Sequence, residues 1–200
     1  MNLRDQKRAQ TRQRFIDTAL RLFQEQGFEA TSMNQIASAA GGSRANLYLH
    51  FRNKPDLVMA KMRDIEREIT ASYRRLDELP VHDAASVRAW LAEARTMWSL
   101  YRIEFAAMEQ AMAADEAVAD EWLGMLQRVS RSMVRLQEGC ANEQEREQKK
   151  VHVITLMMGL DRTFYFLYVR GHMDRHELVL ESLTRQWMTL YALPGAVGAP

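Results

Sequence analysis

Between Thr31 and Lys54 two short helical patterns flank a pair of glycines, and this spacing leaves little choice of local fold. Ser32 suits an N-cap, because its hydroxyl can accept from an amide that the first helical turn leaves unpaired. Met33, Ile36, Ala37 and Ala40 follow at helical spacing and give that helix one apolar face. Gly41 ends it, since glycine enters the left-handed region at no steric cost, and the small Ala37 lets a second helix cross closely. Ser43 offers the next N-cap. Leu47 and Phe51, four apart, then face inward and leave Arg44, Ala45, Asn46, Leu49 and His50 outward. A helix–turn–helix of this geometry sends its second helix into the major groove of DNA.

The outward chemistry suits that task. Arg44 can bond bidentately to guanine and Asn46 to adenine, while Ala45 or Leu49 can touch a thymine methyl. Tyr48, His50 and Lys54 can reach phosphate oxygens, as can the helix starts at Ser32 and Ser43. Taken singly, Tyr48 reads equally well as a core aromatic, His50 as a solvated ring and Arg44 as one half of an ion pair. Their combination in one helix–turn–helix frame favours DNA binding.

Thr31, Ile36, Ala37, Ala40, Gly41, Ser43, Leu47, Tyr48, His50, Phe51, Lys54 and Leu57 closely resemble the signature of the TetR family of transcriptional regulators. The resemblance runs from about Thr11 to Leu57 and takes in Ala19, Phe23, Gly27 and Phe28 of the preceding helix. It departs at two positions: Gly42 stands where valine or a similar apolar residue is common, and Ala45 where glycine is common. Gly42 is expected to loosen the turn and forgo a small packing contact, at a cost of about 1 kcal/mol. Ala45 is expected to change which base that position touches.

With 47% hydrophobic residues in 200, and only 9 Gly and 4 Pro, the chain can bury a large core in an almost entirely helical fold. Its net charge of +1 conceals a split: residues 1–54 hold nine Lys/Arg against four Asp/Glu, +5, which leaves −4 for the rest. The basic charge lies where DNA is expected. A lone cysteine, Cys140, excludes an intramolecular disulfide and suits a reducing compartment. With no secretion signal and no apolar run of about 18 residues, a cytoplasmic protein without a membrane span is expected. Arg4 to Arg14 is a basic lead-in, read either as a flexible arm contributing phosphate contacts or as a solvated terminus. Phe15, Ile16, Ala19, Leu20 and Phe23 give a helical stripe that braces the helix–turn–helix.

Pro55 fits the first turn of a long helix reaching about Arg75. The resemblance implies that this helix joins the DNA-binding unit to a larger helical domain, so that its tilt converts ligand binding into altered spacing of two recognition helices. After the break around Pro80, helices are expected from about Ala84 to Ser99, from Ile103 to Ala113, and from Asp115 toward Cys140. Trp90, Met97, Trp98, Tyr101, Arg102, Phe105, Met108, Met112, Trp122 and Met125 form a soft, aromatic set along them. Residue by residue such a set reads as ordinary core; the resemblance favours a pocket for a bulky, mainly apolar or aromatic effector.

The last two helices carry Ile154, Met158, Phe164 and Leu167, then Leu180, Leu183, Trp187 and Leu190. The resemblance implies that these pair with their copies as a four-helix bundle in a twofold dimer, which would place two recognition helices on a palindromic operator. His172 and His176 stand four apart but lack a third ligand at suitable spacing, so no metal and no cofactor is assigned. No phosphate loop, nucleophile elbow or metalloprotease motif supports an enzyme. The expectation is therefore an all-α chain: a three-helix DNA-binding domain over residues 1–54 and a helical ligand-binding and dimerisation domain over 55–200. It would act as a DNA-binding repressor released by a small molecule. The alternative is a regulator whose second domain docks a protein partner.

Overall fold

The computed structural model describes residues 2–172 and 174–191, and every regular element among them is helical. The helices are α1 (Leu3–Gln26), α2 (Met33–Ala39), α3 (Arg44–Tyr48), α4 (Lys54–Asp77), α5 (Ala84–Leu100), α6 (Arg102–Ala114), α7 (Glu116–Ser132), α8 (Val134–Glu138), α9 (Glu143–Phe164) and α10 (His176–Met188). They form two compact units, neither contiguous in sequence. The first comprises Met1–Glu66 with Ile103–Glu121, and the second Arg67–Arg102 with Trp122–Pro200. The expected division into 1–54 and 55–200 is drawn along the chain, whereas packing follows which helices share a core.

In the first unit the basic lead-in is part of α1. Asn2 starts the helix by accepting from the Asp5 amide at 2.9 Å, and Gln13–Asp17 and Arg21–Glu25 bonds four residues apart support its exposed side. Phe15, Ile16, Ala19, Leu20 and Phe23 are buried, as their spacing predicts. The helix stops at Gly27, whose φ of 89° few other residues adopt. The next residues fold tightly: the Thr31 hydroxyl donates to the Gly27 carbonyl at 2.7 Å, and the Gln26 amide donates to that hydroxyl.

The second unit is organised around large aromatics. Trp90 on α5 meets Trp187 on α10 edge-on at 4.9 Å between ring centroids, and Tyr73 on α4 touches both. The Trp90 indole N–H is satisfied by the Ser72 carbonyl and hydroxyl. The helix expected to run toward Cys140 breaks at Met133, which is wholly buried, and resumes as α8. No side chain of its own caps α8. Asp77, at the end of α4, does so instead, accepting from the Arg135 and Leu136 amides at 2.8 and 2.9 Å. The charged stretch after Cys140 opens α9, capped by Asn142. That helix ends in a π-helical turn, Tyr165–Val169, before Gly171 reverses the chain at φ 76°.

Candidate nucleic-acid interface and effector domain

Both helices of the helix–turn–helix are fixed at their starts by the expected serines. Ser32 and Gln35 form a reciprocal capping box, and the Ser43 hydroxyl accepts from the Asn46 amide at 3.1 Å. Gly41 carries the turn at φ 65°. The Gly42 amide donates to the Ala37 carbonyl at 2.9 Å, so the turn is tight rather than loose. A Cβ on Gly42 would stand 2.8 Å from the tip of the Phe15 ring, which is wholly buried. The apolar contact that the sequence pattern lacks at position 42 is thus supplied from α1, and glycine is required by the close approach.

Leu47 is fully buried, whereas Arg44, Ala45, Tyr48 and Leu49 are exposed, Leu49 by 77%. Asn46 is half-buried. The Arg44 guanidinium lies 5.4 Å from the centre of the Tyr48 ring, which orients both side chains on the outer face. His50 packs against Phe15 and Phe51. Burial, then the charges of Arg8 and Arg12, hold its pKa below the ordinary histidine value, so near neutral pH the ring is uncharged. Arg8 and Arg12, part of the basic lead-in marked by the sequence, thus act on His50 just after α3.

Lys54 is expected at a phosphate; in this structure its ammonium lies 2.6 Å from the Phe28 carbonyl and 3.4 Å from that of Glu29, above the Phe28 ring. The start of α4 next to it is built from Arg52, Asn53 and Asp56. Asn53 accepts from the Asp56 amide, and Asp56 accepts from the Arg52 amide and guanidinium. The hydrogen bonds from Arg52 hold the Asp56 carboxyl below its ordinary pKa. On the other side of the Phe28 Cα, the Phe28 N–H donates to Gln110 Oε1 on α6 at 2.9 Å. Nothing in the local pattern marks Gln110, because its partner is 82 residues away.

The ten residues expected to line an effector pocket are divided between the units: Phe105, Met108 and Met112 belong to the first, the other seven to the second. Trp90 is core, its ring enclosed by Tyr73 and Trp187. Trp98 and Met125 are buried, Trp98 edge-on to Phe164; Met97 and Trp122 are half-buried. The Tyr101 hydroxyl donates to Glu68 at 2.7 Å, and Arg102 is exposed. In the second unit a cavity of about 350 Å³ lies elsewhere, lined by Asp77, His82, Arg135, Lys149, Leu190 and Tyr191 among others.

The expected dimer residues also need correction. Phe164, Leu167, Leu180, Leu183, Trp187 and Leu190 are buried inside this chain, where both α10 and the π-helical turn pack against α5. Ile154 is half-buried and Met158 exposed. The outward stripe of α9 runs through Val151, Thr155, Met158, Gly159 and Arg162 to Phe166 in the π-helical turn, with Leu178 exposed on α10. His176 is engaged by the Tyr168 hydroxyl at 2.8 Å. Among the described residues no helix is long and apolar enough to cross a membrane.

Residues 15–60 match the family model described as bacterial regulatory proteins, tetR family. The HTH-type transcriptional regulator AcrR of Shigella flexneri is 50% identical over 52 residues, which is 26% of this chain and 24% of that protein. The chain thus matches about a quarter of that curated relative's length. A transcriptional regulator of Aquifex aeolicus VF5 superposes with a TM-score of 0.62 at 17% identity, over 91% of this chain and 99% of that one. FadR of Thermus thermophilus, a TetR-family repressor solved with lauroyl-CoA, gives 0.62 at 16% identity, over 94% and 99%. Likeness at this low identity concerns the fold.

Proposed function

Since the chain belongs to the TetR family of bacterial regulatory proteins, we propose that it is a cytoplasmic DNA-binding repressor, not an enzyme, released from a palindromic operator when a bulky apolar or aromatic molecule fills its helical domain. The observation that carries the reading is the outer face of α3. Arg44, Ala45, Tyr48 and Leu49 are exposed on a helix whose inner residue Leu47 is sealed, in a turn fixed by two serine caps. Exposed apolar and amide groups beside arginine are the groups that read base edges, and basic charge is concentrated in the same part of the chain. Arg44 and Asn46 discriminate bases, with Ala45 and Leu49 against thymine methyls. Ser32, Ser43, Tyr48 and His50 hold the backbone.

The helical domain supports an effector through its soft lining, Met97, Trp98, Tyr101, Trp122 and Met125, with Trp90 left to the core. FadR of Thermus thermophilus, of the same fold, was solved with a long acyl thioester bound. The homodimer forms through the outward stripe of α9, Val151, Met158 and Phe166, with Leu178, while the buried residues of both helices hold the monomer together.

Selection from a random duplex library, followed by binding titrations with and without candidate apolar compounds, tests this reading. The expected result is a palindromic consensus whose affinity falls when a stabilising compound is added, and which shifts at one position per half-site in Arg44→Ala or Asn46→Ala. No preferred sequence, or a consensus unchanged in both variants, would sink the assignment. Operator binding that no compound alters would favour a second domain that docks a protein.

A further inference from the structure

The backbone at Phe28 is held on both sides of its Cα by side chains distant in sequence. Its N–H donates to Gln110 on α6 at 2.9 Å, and its carbonyl accepts from Lys54, the first residue of α4, at 2.6 Å. Phe28 is 1% exposed, its ring lies 4.9 Å from that of Phe23, and the Lys54 ammonium stands 4.4 Å from its centre. A second polar tie joins the same two helices, Lys61 on α4 to Glu104 on α6 at 3.7 Å, with both side chains mostly shielded from water. Three helices thus meet at one turn, the turn that leads from α1 into the helix–turn–helix.

We propose that Gln110 and Lys54 are positioning residues that clamp the backbone on both sides of Phe28, so that the placement of α6 fixes the entry into α2 and thereby the presentation of α3 to DNA. The N–H and the carbonyl of Phe28 belong to the two peptide planes on either side of its Cα, so holding both restrains φ and ψ of that residue, the soft torsions of the turn. Losing the Gln110 acceptor leaves the amide of a buried residue unpaired and lets that turn open. This rests on the DNA-binding reading. It gives Lys54 a different task from a phosphate contact, because an ammonium committed to two carbonyls releases no counterion from the duplex.

The full-length chain tests it by two independent readouts. Without DNA, amide exchange at Phe28 should be slow in the parent and in Gln110→Glu, which keeps an acceptor, and about tenfold faster in Gln110→Leu. With a selected duplex, Gln110→Leu and Lys54→Met should each bind about five- to tenfold more weakly, with the slope of log affinity against log salt unchanged. Unchanged Phe28 exchange in Gln110→Leu, or unchanged duplex affinity in that variant, overturns the clamp. So does a salt slope reduced by about 0.9 in Lys54→Met, which marks a phosphate contact. Should the parent bind no duplex while Phe28 is protected as described, the DNA-binding reading fails and the clamp is left as a feature of folding alone.

Discussion

The Phe15 ring occupies the space that a side chain at Gly42 would need, its tip 2.8 Å from where a Cβ would stand. Position 42 has no left-handed φ, so the constraint is packing and not backbone conformation. Phe15 is wholly buried and also touches His50, and its ring has nowhere to retreat. Gly42→Val should therefore destabilise by about 1–3 kcal/mol, as overpacking does. Phe15→Leu in the same chain should recover part of that loss, giving a coupling of at least about 1 kcal/mol in a double-mutant cycle by urea denaturation. Additive effects would show that the two residues do not compete for the space.

Asp77 stabilises α8 from a helix nearly sixty positions earlier in the chain, by accepting both the Arg135 and Leu136 amides. Asp77→Ala would leave two shielded N–H groups without partners, and a loss of about 2–4 kcal/mol is expected. Burial raises the Asp77 pKa against the opposing pull of those amides, so part of the benefit is already offset. Asp77→Asn keeps an acceptor oxygen and should lose less. Equal losses in the two variants, measured by chemical denaturation, would argue against the capping role.

The two faces of the last helices should separate cleanly by substitution. Met158→Glu and Phe166→Glu place charge on the outward stripe and should shift sedimentation toward monomer while leaving helical content and melting temperature nearly unchanged at high protein concentration. Trp187→Ala opens the aromatic core and should cost about 3–5 kcal/mol in folding. A dimer indifferent to both outward substitutions would require another interface.

Tyr73 is buried, and desolvation, with a smaller contribution from Asp161, holds its pKa above the ordinary tyrosine value. Its folded pKa is raised, so the stability linked to it is fully present below the unfolded value of about 10 and declines as pH rises past that point. Each pH unit above about 10 should cost up to about 1.4 kcal/mol through this group. Tyr73→Phe should flatten the alkaline limb by that slope relative to the parent. Parallel alkaline limbs in the two proteins would mean that Tyr73 ionises without unfolding.

How far the sequence was legible depends on the range of the interaction. The serine caps, Gly41, the inward Leu47 and the stripe on α1 are set within four residues, and each lies where its spacing predicts. The Gly42 vacancy, the commitment of Lys54, the cap from Asp77 and the acceptor on Gln110 are long-range, and no local pattern encodes them. The C-terminal faces illustrate a related limit. Helical periodicity finds an apolar side but does not say what covers it, and here α10 turns that side to α5 within the same chain. Trp90 was ambiguous between core and lining for the same reason.

The first unit takes Ile103–Glu121 from the middle of the chain, and the second is interrupted by that segment. During synthesis α1 to α3 therefore emerge well before the helix that completes their core, and the nascent chain must carry buried residues such as Phe28 without α6 until that segment has left the ribosome. A gene fragment ending near residue 54, or near residue 66, would encode every residue proposed to contact bases and still lack part of the unit that holds them.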